Sequence, residues 1–339
     1  MTTRSGEGFG LGSKISRRAA LHLAALAPAA AAASAGSAFA QAKYPSKPIR
    51  LVAGFAAGGP SDTVVRMVGD RMGQILGQQI VVEYRTGAGG SLATELVSRS
   101  EPDGYTLLNT TTANASNETL LNLQYRYGTD LTAVASLART ANVLVVHPSL
   151  GAKSVKELIA LANQTAGGLL YASAGIGSST HLSSELFNMM AGVKMSPVHY
   201  RGGADATKDL LGGQVKIMFS AIAPALPHIQ GGRLLALGTT ALERDPTLPE
   251  VPTLDEVGVS GFEAHLWIGL TARAGTPREA IDTLWSAANQ SLKDPQIRGA
   301  MQKLGFTDLF TTPDEFGAFY RNEVAKWAKV IDAAGIDRR

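Results

Sequence analysis

Hydrophobic positions along this chain alternate between short unbroken runs and helical spacing, with glycine-rich polar loops between them. Ile49, Leu51, Val52, Ala53 and Phe55 crowd together without alternation, as in a strand buried on both faces of a parallel sheet. Gly54, Gly58 and Gly59 then permit a turn where side chains would clash. Pro60, Ser61 and Asp62 start a helix, with Ser61 or Asp62 able to cap it. Val64, Val65, Val68, Met72, Ile75 and Leu76 give that helix an apolar face. A strand leading through glycines into a helix aims unpaired N–H donors and a positive dipole end at one spot, which suits an anion. A βα turn that needs glycine only for its geometry leaves the same trace.

The arrangement recurs. A strand is predicted over 79–84, then a loop of Gly87, Ala88, Gly89 and Gly90 before a helix over 92–100. A third strand over 105–109 runs into a polar loop from Thr110 and Thr111 to Asn114. In open α/β sheets ligands sit outside the carboxyl ends of the strands, where all three loops fall. Further strands are predicted at 133–138 and 142–147. Past a helix carrying Val155, Leu158, Ile159 and Ala162, a strand over 169–172 leads to Gly177, Ser178, Ser179, Thr180 and His181, glycine and hydroxyls again opening a helix. A strand over 198–200 ends in Arg201, Gly202, Gly203, Ala204 and Asp205, and 215–219 and 234–238 complete a second small sheet. After a late strand at 267–271, helices near 277–292, 295–304 and 313–334 have no sheet of their own and must dock on an earlier lobe. The expected fold is α/β in two lobes facing across a cleft: 41–147 plus about 262–339, and about 148–261.

Composition adjusts this picture at the start of the chain. Arg4, Lys14, Arg17 and Arg18 precede an alanine-rich apolar run over 19–33, and Ala38-Phe39-Ala40 offers the small residues of a signal-peptidase site. Residues 1–40 therefore read as a cleaved export leader; the run is short and alanine-rich for a membrane anchor. Ser16-Arg17-Arg18 partly matches the twin-arginine pattern. The leader holds four basic residues against Glu7 alone, so the net charge of +3 belongs to it and the remainder is formally neutral. Nothing in that balance points to nucleic acid or anionic lipid. With no cysteine, thiolate metal sites, disulfides and cysteine nucleophiles are excluded.

Several chemistries fail on spacing. Gly87-x-Gly89 does not continue as a dinucleotide fingerprint, because Leu92 stands where glycine is needed and Asn109 where an acid would hold the ribose. Ser178 has no nucleophile elbow, and His181 follows it too closely to be a facing base. The five histidines outside the leader lie singly, without zinc spacing. Met189 and Met190 read as core filler. Arg85 and Arg201 each precede a glycine loop, to bind a carboxylate or to pair with a protein acid. Asp62 must cap its helix, hold its loop or accept from a ligand donor such as an ammonium.

The segments YPSKPIRLVAGFAAGGPSDTVVRMV, GAGGSLATELVSRSEPDGYTLL, ASAGIGSSTHLSSELF, YRGGADATKDLLGGQVKIMF and PTLPEVPTLDEVGVSGFE, in this order, resemble the Bug-type solute receptors of tripartite tricarboxylate transporters. The resemblance implies a periplasmic, monomeric, two-lobe clamshell of the type II-like periplasmic-binding-protein kind, without enzymatic activity, cofactor or metal. It implies a small mono-, di- or tricarboxylate as ligand and membrane transporter subunits as partners. A sensor kinase as partner, or a secreted hydrolase, are the competing readings. Carried over residue by residue, the ligand would be held by Phe55, Gly58, Gly59, Pro60, Ser61, Asp62 and Gly87–Gly90, with Thr110 and Thr111 beside them. From the other lobe would come Gly177, Ser178, Ser179, Thr180, His181, Arg201, Gly202, Gly203 and Ala204. Two departures stand out. Tyr84-Arg85-Thr86 replaces the usual Asn-Arg-Pro, and Ser220 replaces an aspartate, which puts any amine-binding role there in doubt.

Overall fold

A computed structural model describes residues 44–339 apart from 310, 334, 337 and 339. The leader, its cleavage after Ala40 and the twin-arginine pattern lie outside the described residues. The apolar run at the start is β1 (Ile49–Ala53), buried except for Arg50 and paired in parallel with β2 (Ile80–Tyr84) and β3 (Thr106–Thr111). Between them lie α1 (Pro60–Leu76), which ends on a left-handed Gly77, and α2 (Ser91–Ser98). The polar stretch after β3 is no loop. It enters α3 (Thr112–Leu120) directly, with Thr111 and Asn114 forming a capping box. Its polar side chains bond within that turn or to neighbouring elements, Asn114 to Thr94, Thr112 to His265 O, Ser116 to Gly177 O and Asn117 to Gly89 O, which is how so polar a segment is buried.

The two strands expected at 133–138 and 142–147 are one, β4 (Leu131–Val146). Arg139, Thr140 and Asn142 suggested a break, but Asn142 donates its side-chain amide to Ser183 Oγ at 2.9 Å and Ser179 O at 3.3 Å. With that amide bonded the strand runs through, bulging after Ala133 and Ser136. Next come α4 (Val155–Gln164), β5 (Leu169–Ser173), α5 (Ser179–Ala191), β6 (Met195–His199), α6 (Gly203–Leu211) and β7 (Ile217–Ala221). Then follow α7 (Ile222–Gln230), β8 (Leu235–Thr239), β9 (His265–Arg273), α8 (Arg278–Lys293), α9 (Pro295–Lys303), β10 (Thr307–Asp308) and α10 (Pro313–Ala333). Pro224 and Pro227 hid α7 from the hydrophobic pattern; a helix this short tolerates them.

The strands run in the order β2-β1-β3-β9-β4-β7-β5-β6, with β8 and β10 also paired to β4. The second sheet is therefore not separate. The first part of β4 pairs with β9, and Asn142–Val146 of the same strand pairs with β7 and β8. Each end of this sheet has its own core. Val64, Val65, Val68 and Met72 of α1 pack with Leu284, Ala288 and Leu292 of α8 over β1 and β9. Leu158, Tyr171, Leu186, Phe187 and Phe219 form the other. The last helix enters the second core through Trp327 and Ile331, while its Phe316 and Tyr320 pack on Trp267 in a smaller separate cluster. Met190 packs at the edge of that core, but Met189 faces outward at 41% exposure and is not filler.

One buried carboxylate pins α10 in place. Glu323 accepts from the indole N–H of Trp267 at 2.8 Å and of Trp327 at 2.9 Å through the same oxygen. A hydrogen bond to a charged group contributes ~1.5–3 kcal/mol, and two buried donors lose their acceptor together. Glu323→Ala is therefore expected to lower the unfolding free energy by roughly 3 kcal/mol or more in urea titration. A loss below about 1 kcal/mol would show that α10 is held by packing alone.

Candidate functional site

The starts of α1 and α5 line one cavity, and backbone approaches backbone beside it where the loop before α2 meets the loop before α5 at Gly89 and Ile176. Among the described residues Ser61, Thr111, Ser178, Ser179, Thr180 and Ser220 line a narrow chamber of about 50 Å³ between the two helix starts. Phe55, Ala56, Gly59, Pro60, Ala174, Gly203, Met218, Ala221, Pro224 and Leu266 complete it. No ionisable side chain is among these. Beside it lies an open groove of about 520 Å³, lined by Gly54, Phe55, Gly87, Ala88, Gly89, Gly90, Ala174, Gly175 and Ile176. His199, Tyr200, Arg201, Asp205, Lys208 and Asp209 form its polar side.

Of the residues expected from sequence, Phe55, Gly59, Pro60, Ser61, Thr111, Ser178, Ser179, Thr180 and Gly203 reach the chamber. Gly87, Ala88, Gly89, Gly90 and Arg201 reach the groove. The others sit behind. Thr110 turns away, its hydroxyl 2.7 Å from that of Thr271 on the next strand. The N–H of Gly58 donates to Asp62 Oδ2 at 2.8 Å, and the N–H of Gly177 to His181 Nδ1 at 3.2 Å. Gly202 is packed under Ala56, and Ala204 lies exposed on the first turn of α6. Sequence reasoning missed Ala56, Ala174, Met218, Ala221, Pro224 and Leu266, small or apolar residues without a chemical signature. Ser220 was noted only as a departure, yet it lines the chamber.

The hydroxyls divide into two kinds. Ser178 is the N-cap of α5, accepting from the N–H of His181 and donating to Gly175 O at 2.6 Å. Thr180 Oγ accepts from the N–H of Ala174 at 2.7 Å. These two build the loop. Neither Ser61 nor Asp62 caps α1, because the N-cap is Gly59 and Pro60 follows it without an N–H. Ser179 stands one residue inside its helix. The hydroxyls of Ser61 and Ser179 thus carry no part of the capping, and both residues line the chamber.

Asp62 holds the first loop. Besides Gly58 N–H, its carboxylate accepts from the Tyr84 hydroxyl at 2.6 Å and from Arg66 Nε at 3.0 Å. The Arg66 guanidinium also donates to Tyr84, which raises its own pKa, Asp62 adding to the effect. Desolvation and the bond to Asp62 push the Tyr84 phenol up, keeping it a donor at neutral pH. Tyr84, one of the departures from the family pattern before the second glycine loop, thus ties the first loop to β2. Arg85 pairs with Glu83 at 2.8 Å and Arg201 with Asp205 at 3.4 Å. The histidines are less solitary than their spacing suggested: the rings of His181 and His199 lie 4.9 Å apart, edge to face. Among the described residues no cluster of metal-ligating side chains forms.

Close approach across the cleft demands glycine at two points. A Cβ at Gly89 would collide with Ile176 O, and one at Gly177 would stand 2.6 Å from Ser116 Oγ, both glycines having positive φ. Ser116 donates to Gly177 O at 2.7 Å and Asn117 to Gly89 O at 2.9 Å.

An α/β sheet in two lobes, with two helix starts lining the cleft, is the clamshell of a periplasmic-type solute-binding protein. The family model described as "Tripartite tricarboxylate transporter family receptor" matches residues 64–336. The chain is 33% identical to protein BugT of Bordetella pertussis over 295 residues, 86% of this chain and 90% of BugT. It is similar to the structure of periplasmic binding protein BugD at 33% identity, with a TM-score of 0.83 covering 87% of this chain and 100% of that one. Rpa4515 of R. palustris with adipate matches at 32% identity and a TM-score of 0.83, over 87% of this chain and 99% of that one. MatC of Rhodopseudomonas palustris with bound malate matches at 32% identity and a TM-score of 0.81, over 85% and 100%. The chain belongs to the tripartite tricarboxylate transporter receptor family, of the Bug type. It is a receptor and not an enzyme.

Because Asp62 gathers three donors, from the first loop, α1 and β2, Asp62→Ala is expected to cost roughly 1.5–3 kcal/mol of stability in urea unfolding. Tyr84→Phe removes one of those donors and should cost about 1 kcal/mol. Wild-type stability of both variants would mean that the loop is held by its backbone alone.

Proposed function

We propose that this protein, once exported to the periplasm, captures a small carboxylate between its lobes and delivers it to a tripartite membrane transporter. The observation that carries this reading is the chamber between the starts of α1 and α5. It is lined by hydroxyls and helix-terminal backbone and by no ionisable side chain, so the positive potential there comes from the two helix ends. That environment accepts one anionic group without a counter-ion. Similar receptors carry adipate and malate, which are carboxylates with a second acid group that this chamber has no cation to meet. Within this reading Ser61 and Ser179 each donate to the ligand carboxylate, one from each lobe. The lobes are 41–147 with about 262–339, and about 148–261, closing on each other around the ligand.

Thermal melting in the presence of mono-, di- and tricarboxylates and amino acids tests the ligand class, since ligand at about 100 times Kd adds ~2.7 kcal/mol. No stabilisation by any carboxylate would overturn the reading. For the hit, Ser61→Ala and Ser179→Ala should each weaken binding about tenfold or more by calorimetry, with apo melting temperatures close to wild type. Unchanged affinity in both would leave the grip to backbone N–H groups. Small-angle scattering should give the mass of one chain and a smaller radius of gyration with ligand than without. A ligand-independent profile would argue for a rigid pocket instead of a closing one.

A further inference from the structure

The inner chamber and the outer groove share two lining residues, Phe55 and Ala174, of which only Phe55 brings a large side chain to their junction. Its slot is cut from glycine on either side of the cleft. A Cβ at Gly90 would lie 3.3 Å from Phe55 Cε2, and one at Gly175 would lie 3.7 Å from Cε1. Gly54 lets Gly90 come so near, because a Cβ there would be 2.6 Å from Gly90 Cα. The ring is only partly buried and is not part of either core.

The two compartments differ in size and charge. The chamber, about 50 Å³, holds around four water-sized groups at ~10–15 Å³ each. Its lining offers hydroxyls and apolar surface from Met218, Pro224 and Leu266, and nothing to neutralise a second charge on the ligand. Burying an unpaired charge is strongly unfavourable. The groove, about 520 Å³, carries two cations, Lys208 and Arg201, and two acids, Asp205 and Asp209, on its wall. Arg201 already leans on Asp205 at 3.4 Å, whereas Lys208 has no ion pair among the described residues.

We propose that Phe55 sets the length and charge of the ligand. With the ring in place the site takes a short acid with one carboxylate, no ammonium and no second carboxylate. The carboxylate meets the helix ends, and the short apolar body rests against Met218 and Leu266. A longer dicarboxylate needs the space of the ring to run from the serines out to Lys208. This rests on the chamber being the carboxylate site, as argued above.

Calorimetry with propionate, L-alanine and adipate on the whole mature protein tests it; L-alanine is propionate with an added ammonium. Wild type should bind propionate about tenfold or more tighter than L-alanine or adipate. Phe55→Ala should tighten adipate by about tenfold, and Lys208→Ala on that background should remove most of the gain. Phe55→Leu, which keeps bulk, should retain the wild-type order and controls for folding, with melting temperatures recorded for each variant. Should Phe55→Ala not fold, Phe55→Val takes its place with a smaller gain. Equal binding of adipate or L-alanine and propionate by wild type overturns the proposal while leaving a carboxylate receptor. So does an adipate affinity that ignores Phe55. Binding of no carboxylate at all overturns the receptor reading and this inference together.

Discussion

Backbone meeting backbone across the cleft is the constraint on which the site depends. A Cβ at Gly89 would collide with Ile176 O and one at Gly177 with the side chains of Ser116 and Asn117, while Gly202 packs tightly under Ala56. This approach places the starts of α1 and α5 in the wall of one chamber. It also leaves no room there for long side chains, so charged residues are confined to the rim. The glycine loops visible along the chain are thus required less by the turns themselves than by what those turns press against.

With ionisable groups excluded, the electrostatics of the chamber come from peptide dipoles, which have no identity in sequence. That is why the family of the protein was so legible and its ligand was not. Polar side chains near the site mostly serve the loops. Asp62 gathers Gly58, Tyr84 and Arg66, and Ser178 and Thr180 knit the turn before α5. In the groove, desolvation and the bond to Asp209 push the Tyr200 phenol up to about 12, so it remains a donor fixed on that acid.

What was readable in sequence follows from the same physics. β1 and α1 declared themselves because one is apolar throughout and the other apolar on one face. The helix starts at Pro60 and Ser179 were marked by glycines and hydroxyls. What misled was polarity satisfied at a distance. Asn142 looked like the start of a separate strand, yet it lies within β4 and its side-chain partners are Ser179 and Ser183 on α5. Thr110 looked like a loop residue but bonds Thr271 on β9, and the polar run after it forms α3. Ser61 looked like a cap in a place where Gly59 and Pro60 leave nothing for it to cap. Each error assigned to local structure a group whose role is tertiary.

The unbroken β4 bears on how such a molecule can close. The chain passes between the two ends of the sheet within β4, near Ala141 and Asn142, and again between β8 and β9. Thr240 ties these passages together. Its hydroxyl accepts from the N–H of Asn142 at 2.8 Å and donates to Ala264 O at 2.5 Å. Its backbone exchanges bonds with Asn142 O and with Ala264. Two crossing strands bonded at one point cannot slide past one another, so a rotation about that point is the low-cost motion left. Glu323 joins Trp267 of β9 to Trp327 of α10, a helix that packs both in the second core and on the small cluster around Trp267. Any swing of the lobes must therefore repack α10 or carry it with one of them, and the bonds from Glu323 to Trp267 on β9 favour its travelling with the lobe built on β1 and β9.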